Sequence, residues 1–140
     1  MSKDVVSLLI IIVFPVTLLG QLKLSDCKRI KHGTFYFYSP NTQKSVIIRE
    51  GSNQKEINPQ KGDTSFWKVT WQNACSYSLK FIRKSQPISD EEKSFYNSHI
   101  SFVKILSITK DYYVFRGGLD SNNNKSALTD TLWRKARQSN

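Results

Sequence analysis

Along most of this chain apolar and polar residues alternate one by one, which is the period of a half-buried β-strand rather than of a helix. The clearest stretch has Trp67, Val69 and Trp71 on one face and Lys68, Thr70 and Gln72 on the other. After a turn near Asn73 the alternation resumes over residues 75–81, with odd positions apolar and even ones polar. That pair predicts a hairpin with one buried face. Upstream, strands are predicted over 34–38, 45–50 and 54–57. They are bounded by Gly33, by Ser39-Pro40-Asn41, by Gly51-Ser52-Asn53 and by the Asn58-Pro59 and Lys61-Gly62-Asp63 turn signals. Downstream, strands over 100–109 and 112–116 meet at a tight turn on Lys110-Asp111. A polar loop over 117–124 and a last strand over 126–133 complete the series.

One segment breaks the period. Ser89-Asp90-Glu91-Glu92 has the S-x-x-E form of a capping box, which predicts one short helix over 90–96. The three consecutive acids then suit the positive end of the helix dipole. Seven to eight short strands joined mostly by hairpins predict an all-β domain. The expected form is a single antiparallel up-and-down β-barrel of the lipocalin or calycin kind, with a β-sandwich as the alternative.

The first 20 residues follow a different rule. Residues 5–19 are apolar except for Ser7 and Thr17, with Pro15 near the end of the run. A membrane-spanning helix needs about 20 apolar residues, so this shorter run reads as the core of a signal peptide. The small Gly20 places cleavage between Gly20 and Gln21, leaving 21–140 as a single β-domain; an uncleaved N-terminal anchor is the alternative. The expected location is therefore secreted or periplasmic.

Export changes how the rest is read. The net charge of +10 is unaffected by losing Lys3 and Asp4 together. Lys23, Lys28, Arg29 and Lys31 crowd one end of the mature chain, and Arg134, Lys135 and Arg137 the other. Such a balance favours anionic partners, whether lipid headgroups, acidic glycans or nucleic acid, although scattered lysines also keep sheet proteins from pairing edge to edge. Export argues against nucleic acid, even though an OB-like barrel would fit the charge and the aromatics. Cys27 and Cys75 are the only cysteines, and in an oxidising compartment an even pair without metal-ligand spacing reads as one disulfide. Two buried free thiols are the alternative if the chain is not exported.

The ordered set of Cys27, Gly33-Thr34-Phe35, Ile48-Arg49-Glu50, Gln54-Lys55-Glu56 and the run from Val69 through Trp71, Cys75 and Tyr77 to Leu79 resembles a family of small exported bacterial proteins. Members of that family are often labelled a DNA topoisomerase IV subunit. The resemblance spans roughly Cys27 to Phe115 and implies an exported β-domain carrying these two cysteines, with no activity attached. A topoisomerase needs a tyrosine nucleophile, metal-binding carboxylates and several domains on a far longer chain.

Enzymatic chemistry finds little to stand on. His32 and His99 have no carboxylate or cysteine at ligand spacing. Asp120-x-Asn122-x-Asn124 imitates the start of a calcium loop but has Lys125 where glycine is needed and Thr131 where glutamate is needed. No G-x-S-x-G, no P-loop and no cysteine–histidine pair with a third member occurs. The chain is therefore expected to be a non-enzymatic binding or interaction domain without cofactor, metal or catalytic residues. A structural or accessory envelope protein docking an acidic partner is the alternative. Phe35, Phe37, Trp67, Trp71, Tyr77 and Phe81 fall on apolar faces of neighbouring strands. They either fill the core, the default for a small barrel, or line an interior that takes a small apolar ligand.

Overall fold

The computed structural model describes residues 22–40, 44–120 and 127–138. The expected cleavage site at Gly20 and Gln21 lies outside the described residues. A short helix, α1 (Leu24–Lys28), precedes eight strands: β1 (His32–Tyr38), β2 (Lys44–Glu50), β3 (Asn53–Asn58), β4 (Asp63–Asn73), β5 (Ser76–Lys84), β6 (Ser101–Ile108), β7 (Tyr112–Leu119) and β8 (Leu128–Trp133). Helix α2 (Asp90–Ser98) joins β5 to β6. The strands form a closed barrel in chain order, every neighbouring pair antiparallel, and Tyr36 opposite Trp133 closes β1 onto β8. Closure gives every strand a neighbour on both sides, which limits the hazard of edge-to-edge association, although β1 meets β8 at that one residue pair.

Local sequence accounts for the elements. Gly51 takes a left-handed φ of 60° in the β2–β3 turn, a conformation that suits glycine, and its N–H donates to the Lys31 carbonyl. Ser89 and Glu92 complete the capping box, each side chain accepting from the other's backbone N–H. In β5 the extra residue Ile82 has no partner opposite it, between the Trp67–Phe81 and Phe66–Arg83 pairs. That bulge turns Lys84 toward Asp63, and the two form an ion pair at 3.1 Å.

Two boundaries differ from the sequence expectation. Residues 117–119 belong to β7 rather than to a loop, because Gly117, Gly118 and Leu119 pair with Val103, Phe102 and Ser101 of β6. A glycine pair usually signals a turn, but a ladder uses only backbone groups, and here Gly117 also pairs with Leu128. Most of the remaining loop, with the start expected for the last strand at Ser126, lies outside the described residues. Helix α1 has no counterpart in the alternating pattern. It is five residues long, lacks a side-chain N-cap, and is fastened by the disulfide between Cys27 and Cys75.

The core is concentrated at one end of the barrel. Cys27, Ile30, Tyr113, Ile105, Phe35, Val69 and Tyr77 are all buried there, and α1 with Ile30 forms a floor. Each such apolar side chain stabilises the fold by roughly 1.5–3 kcal/mol. α2 lies at the opposite end, where Tyr96 stacks on Phe81 at 4.1 Å and meets Trp67 edge-on. Among the described residues no helix is long and apolar enough to cross a membrane.

Candidate functional site

Above the floor the barrel is not filled. A cavity of about 580 Å³ opens inside it, with apolar walls from Ile47, Leu79, Val103, Phe115 and Leu132. Alternation explains these positions, since each strand turns every second side chain inward. Gly117 and Gly118 also line it, where β7 brings bare backbone to the wall. A second hollow of about 430 Å³ adjoins the first and shares Tyr77, Phe102, Val103, Gly117 and Gly118 with it.

The β2–β3 hairpin gives the cavity one polar wall. Arg49 and Gln54 face each other across the hairpin, as do Ile47 and Glu56. Arg49 Nε donates to Gln54 Oε1 at 2.8 Å, and Gln54 Nε2 donates to Glu56 Oε1 at 2.8 Å. Arg49 also donates through Nη1 to the Ile30 carbonyl at 3.1 Å and through Nη2 to the Tyr77 hydroxyl at 2.8 Å. A single hydrogen-bonded chain thus runs from the floor, through a buried cation and a neutral amide, to a carboxyl group on the wall.

Arg49 is only 1% exposed, yet no carboxylate lies within ion-pair distance of it among the described residues. Its charge is met instead by aromatic faces, with Tyr77 4.5 Å, Phe35 5.3 Å and Trp71 5.9 Å from the guanidinium carbon. Burial works against the charged form, but the hydroxyls of Tyr77 and Tyr113 more than offset it, so Arg49 titrates above its usual range. Burial pushes the Tyr77 phenol well up, with Tyr113 adding to the rise and Arg49 opposing it. Tyr113 is fully buried and packs edge-on against Phe35, and its hydroxyl closes no hydrogen bond of ordinary geometry among the described residues.

Glu56 is enclosed by neighbouring atoms but still presents surface to the cavity. Burial raises its pKa; Gln54, Arg49 and the Trp67 indole pull the other way without cancelling the effect. The Trp67 Nε1 itself closes no hydrogen bond of ordinary geometry.

The six aromatic residues singled out in the sequence separate into three groups. Phe37 and Tyr77 line the cavity. Phe35 and Trp71 pack around Arg49 at the floor, and the Trp71 indole donates to the Gly51 carbonyl at 3.0 Å. Trp67 and Phe81 join Tyr96 in a separate cluster beneath α2. Alternation alone does not single out Arg49, Gln54 or Glu56. β2 is apolar on both faces around Ile47, and β3 turns its polar residues inward. Their one sequence signal is that all three fall within the short segments that carry the family resemblance.

On the outside, Arg137 lies over both Tyr38 and Trp133, and Lys44 over Tyr36. Burial, then the charge of Arg29, lowers the pKa of Arg134. Two guanidinium nitrogens of Arg134 are buried without a hydrogen-bond partner. No family model matches the chain, and no curated protein is significantly similar to it.

Proposed function

We propose that this protein is an exported, non-enzymatic binding domain that takes a small, largely apolar molecule into its barrel. The observation that carries this reading is the cavity of about 580 Å³, within the size range of small-molecule sites and lined by apolar side chains around a few convergent polar groups. The disulfide supports an oxidising compartment, and the resemblance to exported bacterial β-proteins points the same way. A fluorescent fatty-acid analogue added to the mature protein should bind saturably, one per chain, and quench the indoles of Trp67 and Trp71. Absence of saturable binding overturns the reading. N-terminal sequencing of the exported form should begin at Gln21, and a start at Met1 would remove the case for cleavage.

A second reading, a structural or accessory envelope protein that docks an acidic partner, is favoured by the net charge of +10. Binding of that kind weakens steeply as salt rises, whereas apolar binding in the barrel does not.

A further inference from the structure

We propose that the barrel's ligand is an aliphatic monocarboxylate, its head against Arg49 and Tyr77 and its tail along the apolar wall. The inference rests on the cavity being a ligand site and goes on to name the chemistry of that ligand.

The floor has hydrogen-bond donors in excess. A guanidinium carries five N–H groups, and three protein acceptors account for three of them. All three acceptors are neutral: an amide oxygen, a backbone carbonyl and a phenol oxygen. Tyr77 accepts from Arg49, and its own proton has no acceptor of ordinary geometry among the described residues. Arg49 and Tyr77 both line the cavity, so these groups are open to a ligand within it. A buried cation surrounded by uncommitted donors is completed by an anion with several lone pairs.

Other headgroups fit less well. An ammonium would bring only donors and place a second cation beside Arg49. A hydroxyl would supply one oxygen and no charge. A dianion such as a phosphate monoester would face Glu56 on the same wall with a single buried cation to balance it. Glu56 does not serve as the counter-ion itself, because Gln54 stands between the two. The protein's net charge of +10 further favours approach of an anion to the barrel.

The test is displacement of the fluorescent probe from the mature protein by decanoate, decanol and decylamine. Decanoate should bind at least tenfold more tightly than either of the others. From hexanoate to decanoate, affinity should rise about fourfold for each added methylene. Arg49→Met should abolish the preference for decanoate. Because that variant removes a buried hub on which folding depends, Tyr77→Phe supplies the second arm. It keeps the ring over the guanidinium and withdraws one hydroxyl from the cavity wall, and a cooperative thermal transition should show that it folds. Decanoate should then weaken about fivefold or more while decanol changes less than twofold. Equal affinities for the three probes, or a decanoate affinity untouched by Tyr77→Phe in folded protein, would overturn the carboxylate assignment. If decanol binds and decanoate does not, the headgroup inference fails and the cavity reading stands. If none of the three binds, both fail.

Discussion

The guanidinium of Arg49 and the hydroxyl of Tyr77 meet at 2.8 Å beneath the cavity, on strands that are not neighbours in the barrel. Each satisfies a group the other would leave buried and unpaired. Tyr77→Phe keeps the ring over the guanidinium but withdraws the acceptor from Nη2. Leaving a buried charged donor unsatisfied costs about 1–3 kcal/mol. Urea unfolding of this variant should show a lower midpoint with an unchanged slope, because the surface exposed on unfolding is the same.

The disulfide should matter more than any one hydrogen bond. It closes a loop spanning 48 positions and fixes α1 against the β4–β5 turn. On the chain-entropy model such a loop contributes about 4 kcal/mol. Its loss also loosens Ile30, whose carbonyl accepts from Arg49. The double variant Cys27→Ala, Cys75→Ala should therefore lose stability by about that amount in urea. A reducing agent should destabilise the wild type but leave the double variant unchanged.

Much of the barrel was legible because its strands alternate and its turns are marked by glycine, proline and asparagine. The β4–β5 hairpin and the capped α2 follow directly from Trp67, Val69, Trp71 and from Ser89 with Glu92. The polar wall was hidden for the opposite reason. In β3 the alternation leaves Ile57 on the face opposite Gln54 and Glu56, so a binary reading turns this polar pair outward. Only the β2–β3 register, which sets Arg49 opposite Gln54, brings these residues together inside. Helix α1 was hidden as well, since a five-residue helix held by a disulfide needs no periodicity of its own.

Filling the cavity should separate binding from folding. Val103 is nearly buried on β6 and faces the cavity from the wall opposite the polar chain. Val103→Phe adds volume where space exists, so the strain of about 1–3 kcal/mol usual for overpacking is largely avoided. The variant should keep its thermal midpoint within a few degrees and lose saturable binding of the fluorescent fatty-acid analogue. Binding that survives would move the site out of the barrel.

Glu56 sets the pH dependence of stability. Its pKa in the folded chain lies above the ordinary 4.5, chiefly because burial disfavours the carboxylate. A group of that kind holds more protons folded than unfolded, so stability falls as pH rises. The decline should begin near pH 4.5 and end once the pH passes the displaced pKa. Asp63 acts with the opposite sign in a lower window. Desolvation opposes its charge, but Lys84 outweighs this and holds its pKa below 3.8, so it contributes stability that is lost only on further acidification. Glu56→Gln preserves an oxygen to accept from Gln54 Nε2 and removes the titration. Urea midpoints measured from pH 4 to pH 8 should fall for the wild type and stay nearly flat for the variant, which should be the more stable protein at the upper end. Parallel curves would mean that Glu56 is solvated well enough to titrate at its ordinary value.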